Sequence, residues 1–330
     1  MEKKVGTTTR TINWAEGLNT KSRVIAIVGS TASGKTDLSL RIAEKIKGEI
    51  ISADSRQIYR GLDIGTAKPS KEVRAKIPHH FIDILDPDED YSAGEYGQEA
   101  RKKINELLSN GRVPIIVGGS GLYIKALVDG LFEGPAKNKE IREQLEDEAK
   151  RYGKEMLYEK LKKIDPISAS RMDFTKLRRI IRALEVYYIT GKPISELHSS
   201  QQTRPEFDVV QYGIEWDRNI LYERINKRVD AMFEKGLVDE VKTLKENGYS
   251  PALNSLNTVG YKEVFDMLEG KLNEKDAREL IKRNTRRYAK RQLTWFRADK
   301  RIHWIKISDA VYLDIDAEKI INEFLANHEA

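Results

Sequence analysis

A short apolar segment at residues 24–28 is followed by a glycine-rich turn and then by an amphipathic pattern. All five residues of this segment are apolar and most are β-branched, which is typical of a parallel strand buried on both faces. Farther on, Leu38, Ile42 and Ile46 recur at helical spacing, and Gly48 predicts the C-terminal end of the helix. The pattern therefore predicts a strand, a turn and a helix at the start of an α/β domain.

The same alternation of apolar segments and helical patterns continues along the chain. Further strands are predicted at 49–52, 81–85, 113–117, 209–214 and 303–307, and helices at 92–110, from 218, from 258, along 282–301 and at 317–325. Between residues 140 and 189 the pattern is helical and strongly charged, with breaks at Gly153 and at Asp165-Pro166. We therefore divide the chain into a polar leader (1–22), a core domain that ends in a basic helix (23–138 and 206–330) and a helical insertion domain (139–205).

Composition narrows the class of protein only slightly. The chain has 330 residues, of which 33% are charged, and a formal net charge of +6. Solvated helix faces are commonly this charged, so the positive charge indicates a binding partner only where cations cluster. It has no cysteine, which excludes disulfides and thiolate metal sites and is typical of a reducing compartment. No apolar stretch approaches the ~20 residues of a membrane span, and the first 22 residues lack the apolar core of a signal peptide. We expect a monomeric cytoplasmic protein that makes no membrane contact.

The turn after the first strand fits the phosphate-binding pattern G-x-x-x-x-G-K-[ST]. Backbone amides in such a turn, together with the helix N-terminus, point at an anion. Lys35 adds a positive charge, and the Thr36 hydroxyl can hold Mg²⁺. The residues predicted to bind diphosphate or nucleotide phosphate here are Gly29, Ser30, Thr31, Ala32, Ser33, Gly34, Lys35 and Thr36.

Two further strand ends carry candidate chemistry. Asp54 follows the second predicted strand, and because strand ends in such sheets open onto one ligand crevice, it should lie near the phosphate loop. A helix N-cap is the alternative role for this residue. The third strong strand ends in Gly118-Gly119-Ser120, where nucleotide hydrolases usually carry an aspartate that positions Mg²⁺. The chain thus has a phosphate cradle without the obvious second half of an ATPase.

Two arginine pairs sit at helical spacing. Arg178 and Arg182 share a face, which is either solvated, with Arg182 paired to Glu185, or an anion clamp; the spacing leaves both open. Arg224 and Arg228 are also one turn apart, and spacing alone favours a solvated pair.

The segment 282–301 is almost purely cationic. Ile281, Tyr288 and Trp295 form a seven-residue stripe that we expect to dock this helix on the core. Solvated helix faces normally mix both signs of charge, and this one does not. Cations beside aromatic residues suit a phosphate backbone with unstacked bases, so the segment predicts contact with nucleic acid.

Seven stretches, in family order, resemble the tRNA dimethylallyltransferase (isopentenyl-tRNA transferase) family, bacterial type. They are 29–36 (GSTASGKT), 54–68 (DSRQIYRGLDIGTAK), 118–123 (GGSGLY), 178–185 (RRIIRALE), 228–237 (RVDAMFEKGL), 259–262 (VGYK) and 288–297 (YAKRQLTWFR). The resemblance implies an α/β fold, with a P-loop NTPase-like parallel-sheet core and a mostly helical insertion. It also implies transfer of a dimethylallyl group from dimethylallyl diphosphate to N6 of adenine 37 in the anticodon stem-loop of tRNA.

For that reaction Asp54 is the expected general base, and Lys35, Mg²⁺ on Thr36 and the Ser120 hydroxyl are expected to stabilise the leaving diphosphate. An arginine clamp is expected from Arg178 and Arg182 or from Arg224 and Arg228. The residues predicted to contact tRNA are Asp54, Ser55, Arg56, Gln57, Ser120, Arg142, Arg178, Arg179, Arg182, Gly260, Tyr261 and Lys262, together with Arg287, Lys290 and Arg291 of the basic helix.

The chain differs from the family pattern at three places. Ser30 stands for a usual proline, Ser120 for a usual threonine, and residues 173–176 for a usual His-Pro-Asn-Asp. Three alternatives stay open: a P-loop small-molecule kinase, an adenylate isopentenyltransferase that uses a free nucleotide, and a non-catalytic RNA-binding protein. The missing aspartate after the third strand argues against the kinase, and the basic helix argues against both enzymes.

Overall fold

The computed structural model describes residues 22–131, 134–200 and 205–326. Nearly all of the predicted leader (1–22) lies outside these residues. The described chain separates into two compact units. The core unit comprises the described residues among 22–91, 99–124 and 206–326, and the helical unit comprises those among 92–98 and 125–205.

Six parallel strands form the sheet of the core unit, in the order β3-β2-β4-β1-β5-β6 among the described residues. The central strand β1 is buried on both faces and pairs in register with its two neighbours, Ile25 opposite Ile115 and Val210. This burial explains why the segment reads as continuously apolar. The strands are β1 (Arg23–Gly29), β2 (Gly48–Ser52), β3 (His79–His80), β4 (Val113–Gly118), β5 (Asp208–Trp216) and β6 (Ile302–Ile307).

Helices connect and cover these strands. They are α1 (Lys35–Ile46), α2 (Lys71–Lys76), α3 (Ala93–Ser109), α4 (Gly121–Asp129), α5 (Lys139–Tyr152), α6 (Lys154–Ile164), α7 (Pro166–Ser170), α8 (Leu177–Thr190), α9 (Ile194–Ser200), α10 (Arg218–Glu234), α11 (Leu237–Glu246), α12 (Tyr261–Leu268), α13 (Glu274–Arg297) and α14 (Leu313–Ala326). No helix within the described residues is both long and apolar enough to cross a bilayer.

Two local predictions are wrong. Helix α1 ends at Lys47, which takes the left-handed conformation (φ 52°) itself, and Gly48 begins β2 instead. A Cβ on Gly48 would lie 2.7 Å from the Cδ1 atom of Ile115, so the glycine serves strand packing. No strand forms at 81–85: β3 is only His79–His80, and the extended chain ends there because Phe81 (φ 65°) and Asp83 (φ 56°) take the left-handed conformation. The Asp83 carboxylate then accepts hydrogen bonds from Lys68 and Arg74.

The helical unit has its own apolar core. Leu157, Leu161, Ile180 and Leu184 are fully buried in it. The predicted helix breaks are confirmed: Gly153 ends α5, and Asp165 caps α7 ahead of Pro166. The sequence-based start of the insertion at residue 139 stays a prediction.

Candidate active site

A cleft of about 780 Å³ opens in the core unit where β1, β2 and β4 end. Parallel strands deliver their carboxyl ends to the same edge of the sheet, so three turns distant in sequence meet here. Residues of the phosphate loop, the Asp54 turn, the Gly118 turn, α10 and α13 line the cleft: Thr31, Ala32, Ser33, Gly34, Lys35, Thr36, Asp54, Ser55, Arg56, Gln57, Gly118, Gly119, Arg224, Arg228, Tyr288 and Gln292.

Two hydrogen bonds to backbone oxygens stabilise the phosphate loop, one from within the loop and one from β5. Lys35 donates from Nζ to the backbone oxygen of Ser30 at 2.5 Å, and Trp216 donates from Nε1 to the oxygen of Ser33 at 2.8 Å. Burial, and then the positive charge of Arg228, lower the pKa of Lys35 to about 7, although Asp54 opposes them. An anion in the cleft would favour the charged form of this lysine.

Arg224 and Arg228 both reach this cleft from α10, so the solvated pair that spacing favours is not what forms. Arg224 donates from Nε to the oxygen of Ala32 at 2.9 Å, and its guanidinium lies 4.3 Å from the centre of the Trp216 ring. Arg228 donates from Nη2 to the oxygen of Thr66 at 3.2 Å. Burial lowers the pKa of Arg228, because the guanidinium is poorly solvated in the cleft. An anion bound beside this guanidinium would compensate for the lost solvation.

Asp54 combines both roles that the sequence allows. Its Oδ1 atom accepts from the backbone N–H groups of Arg56 at 2.9 Å and Gln57 at 3.4 Å, so it caps the turn. Its Oδ2 atom accepts no hydrogen bond from the described part of the chain, and the residue lines the cleft. One carboxylate oxygen thus fixes the turn while the other is available to a substrate.

The Ser120 hydroxyl is placed on the Asp54 turn. Its oxygen accepts a hydrogen bond from the backbone N–H of Ser55 at 3.0 Å, and its O–H donates to the hydroxyl oxygen of Ser55 at 3.2 Å. The expected donation from Ser120 to diphosphate therefore finds no support in this geometry. The structure gives Ser120 the role of holding the residue next to Asp54.

An acidic side chain of α11 binds the backbone of the loop that follows Asp54, at residues 63–65. Glu240 accepts from the N–H groups of Asp63, Ile64 and Gly65 and from the hydroxyl of Tyr261, at 2.6–3.1 Å. Because Tyr261 is fully buried beside Glu240, its side chain is not exposed to RNA. Gly260 is buried as well, and its N–H donates to Glu263, so Lys262 is the exposed member of the three. RNA contact at 260–262 stays a prediction.

Helix α13 docks on the core through a different face from the one predicted. Ala277, Ile281, Ala289, Gln292 and Phe296 are its buried residues, whereas Tyr288 and Trp295 are 37% and 43% exposed. Of the predicted stripe only Ile281 is part of the docking face. Tyr288 instead lines the cleft.

The three cations predicted to bind RNA on α13 are exposed. They are Arg287, Lys290 and Arg291. Among the remaining cations of the basic segment, Lys282 pairs with Asp230 at 2.9 Å, and Arg297 pairs with Glu215. The cationic surface is therefore narrower than the sequence indicates.

In the helical unit, Arg142 and Arg182 are paired with the fully buried Glu185 at 2.7 Å each. Burial alone would raise the pKa of Glu185, but hydrogen bonds from Arg142, Arg182 and the Asn138 amide lower it to about 2. The pairing that the sequence allows for Arg182 thus forms. Arg178 and Arg179 are exposed on the same helix. RNA contact by these four arginines stays a prediction.

Comparison with known proteins decides the family. The model of the family described as IPP transferase matches residues 57–299. The chain belongs to this family. It is 47% identical to the tRNA dimethylallyltransferase of Pelotomaculum thermopropionicum over 303 residues, which cover 92% of this chain and 96% of that protein.

Two solved structures confirm the predicted P-loop NTPase-like fold. The full-length tRNA isopentenylpyrophosphate transferase from Bacillus halodurans superposes with a TM-score of 0.69 at 39% identity, covering 94% of this chain and 98% of that chain. A eukaryotic dimethylallyltransferase, described as acting on tRNA, gives a TM-score of 0.77 at 31% identity and covers 93% and 80%. The family membership predicted from the seven motifs is confirmed as well.

Oxygen donors in the cleft suit a hard cation. The Thr36 hydroxyl lines it together with the carboxylates of Asp37 and Asp54. Within the described residues there is no cluster of three or more metal-ligating side chains. Such a sparse set is what Mg²⁺ accepts when substrate phosphates and water complete its shell. The predicted Mg²⁺ on Thr36 therefore fits this IPP transferase and remains a proposal.

Sequence reasoning missed the positions that support the site from far away in the chain. Glu240, Trp216 and Gln292 have no motif that predicts a role near the phosphate loop. Gln292 does carry one signal: it falls at helical spacing between Ala289 and Phe296, and a polar residue on a buried face needs a partner.

Proposed function

We propose that this IPP transferase transfers a dimethylallyl group from dimethylallyl diphosphate to N6 of adenine 37 in the anticodon stem-loop of tRNA. The observation that carries the proposal is the cleft, in which a phosphate loop, two arginines and one available carboxylate oxygen face each other. Relatives named tRNA dimethylallyltransferase favour it over the kinase and over a non-catalytic role.

The donor is an anion with a good leaving group. Loop amides together with Lys35, Arg224 and Arg228 would bind its diphosphate and stabilise the charge that grows as the carbon–oxygen bond breaks. Arg224 is aligned for this by its bond to Ala32 and by its packing on Trp216. Bound Mg²⁺ would supply further neutralisation of the diphosphate, with the Thr36 hydroxyl among its ligands.

The acceptor is a weakly nucleophilic amine. The N6 nitrogen forms a bond to the allylic carbon and loses a proton, which Asp54 Oδ2 would accept, while diphosphate leaves with the bonding electrons. The base must leave its stack to enter the cleft, and Tyr288 at the rim offers an aromatic surface beside it.

One experiment separates the candidate functions. The protein is incubated with Mg²⁺, with either dimethylallyl diphosphate or ATP, and with either unmodified tRNA or free AMP, and the nucleosides and nucleotides are then analysed by mass spectrometry. We expect a prenyl mass on adenosine in the tRNA with dimethylallyl diphosphate alone. Modification of free AMP but not tRNA would favour the adenylate prenyltransferase, and phosphate transfer from ATP would favour the kinase.

A further inference from the structure

One side chain of α13 spans the two glycine turns of the cleft. Gln292 donates from Nε2 to the backbone oxygen of Gly119 at 2.8 Å and accepts at Oε1 from the backbone N–H of Thr31 at 2.9 Å. It is 8% exposed, so water cannot easily replace either partner. Strands β4 and β1 end at these turns and are neighbours in the sheet.

Only a side chain with both a donor and an acceptor fits this position. A glutamate could accept from Thr31 but, when ionised, would place an oxygen against the oxygen of Gly119. A lysine could donate but not accept. Gly119 is also matched to the contact, because a Cβ there would lie 2.4 Å from Nε2 of Gln292.

The bond to Thr31 also affects the anion cradle. The Thr31 N–H is directed at Gln292 rather than at the cleft, so the amides left for an anion belong to the later loop residues. Gln292 thereby holds the first part of the phosphate loop in place. The neighbouring Tyr288 lines the same cleft, and its pKa is raised to about 12 by burial of its hydroxyl and by the charge of Asp54.

The other side of these helical turns faces solvent. Arg287, Lys290 and Arg291 are exposed there, within one or two turns of Gln292. A helix is stiff over such a length, so a displacement of its cationic side on binding RNA would also displace Gln292 and the two backbone groups that it holds.

We propose that Gln292 is a positioning residue that couples RNA binding on α13 to the shape of the phosphate loop. That RNA binds the cationic surface of α13 and that diphosphate binds the phosphate loop both rest on the proposed function. Coupling of this kind is reciprocal: if RNA raises the affinity for diphosphate by some factor, diphosphate raises the affinity for RNA by the same factor.

The test measures that factor in both directions. The dissociation constant of an anticodon stem-loop RNA is measured with and without saturating inorganic diphosphate and Mg²⁺, and that of inorganic diphosphate with and without the RNA. We expect a coupling factor of about 5–100 in the wild-type protein. In Gln292→Met, which keeps the volume but loses both hydrogen bonds, the factor should fall to near 1 by both routes.

Two further variants complete the design. Thr294→Ala removes a hydroxyl that bonds only to the helix carbonyl of Lys290, and it should keep the wild-type coupling factor. Gln292→Glu keeps the acceptor for the Thr31 N–H but loses the donor to Gly119, so its coupling factor should lie between those of the wild-type protein and Gln292→Met. If Gln292→Met does not fold, the same dissociation constants are measured with Gln292→Glu.

An unchanged factor in folded Gln292→Met or Gln292→Glu, or a factor of 1 in the wild-type protein, would overturn the inference. These results are distinct from failure of the proposed function, which would appear as a wild-type protein that transfers no prenyl group. A protein that transfers the group but shows no coupling contradicts the role of Gln292 alone.

Discussion

Arg224 donates a hydrogen bond from its Nε atom to the backbone oxygen of Ala32, 2.9 Å away in the middle of the phosphate loop. The bond joins residues 192 positions apart and aligns a guanidinium beside Gly34, where a Cβ would lie 3.6 Å from its Nη2 atom. The relationship places one arginine of α10 against the phosphate loop, a position that helical spacing did not favour.

Replacement of Arg224 should therefore impair transfer more than folding. We expect Arg224→Ala to lower kcat/KM for dimethylallyl diphosphate about 100-fold, because a donor to the growing charge is lost. Arg224→Lys should recover only part, since an ammonium cannot reproduce the planar stacking and the directed bond. Steady-state kinetics check this. Arg218→Ala, on the same helix and against Tyr222 instead, is the control with near wild-type activity; equal losses in both variants would contradict the assignment.

Asp54→Asn isolates the proton transfer from the capping role. The asparagine Oδ1 can still accept from the Arg56 N–H, so the turn should persist. We expect a ~10²–10⁴-fold loss of transfer rate under single-turnover conditions, with the affinity for tRNA retained. Asp54→Ala, which loses the cap as well, should also weaken tRNA binding. A transfer rate in Asp54→Asn equal to that of the wild-type protein would exclude Asp54 as the base.

The pKa of Lys35, about 7, makes anion binding sensitive to pH. The charged form binds anions, so the affinity for inorganic diphosphate should fall as pH rises above about 7, by up to about tenfold per pH unit. Because bound diphosphate favours the ammonium, binding near pH 8 should take up close to one proton. Calorimetry in buffers of different ionisation enthalpy measures this uptake. Lys35→Arg stays charged and serves as the reference; the same uptake in both proteins would assign the proton to another group.

The exposed cations of α13 should govern the salt dependence of tRNA binding. We expect replacement of Arg287, Lys290 and Arg291 by alanine to flatten the plot of log affinity against log salt by about 0.7–0.9 for each phosphate that is no longer neutralised. Filter binding at several salt concentrations measures the slope. Lys319→Ala removes an exposed cation of α14 and should leave it unchanged. A triple variant with the wild-type slope would place the RNA elsewhere.

The buried ion pairs of Glu185 should stabilise the helical unit. Glu185→Gln leaves Arg142 and Arg182 without their charged partner and should lower the free energy of unfolding by about 2 kcal/mol at pH 7. Because the folded pKa of about 2 lies below the ordinary value of 4.5, the stabilisation is present above pH ~5 and is lost as pH falls towards 2.

Urea unfolding of the full chain at several pH values tests this expectation. The difference between the two proteins should shrink in acid. Glu143→Gln, from an exposed pair with Lys139 at 3.8 Å, should change little at any pH. A difference that does not vary with pH would show that the charge of Glu185 is not the cause.

The basic helix shows where sequence patterns mislead. Ile281, Tyr288 and Trp295 share one stripe, yet burial is centred on Ala289, Gln292 and Phe296, about a quarter of a turn away. A heptad spacing identifies residues on one face but not which neighbouring element that face meets. Tyr288 and Trp295 lie at the edge of the docking face, and the packing of α13 on the cleft decides their exposure.

The sequence by itself determined the phosphate loop, the order of strands and helices around it, and the family. Those features are local or cumulative: residues 29–36 are contiguous, and burial on both faces of β1 requires an unbroken apolar run. Only the tertiary structure decided that Arg224, Glu240 and Gln292 support the site, and that Ser120 serves the Asp54 turn. These contacts join residues 65 to 261 positions apart, and no local pattern records a hydrogen bond that exists only after the strands have assembled.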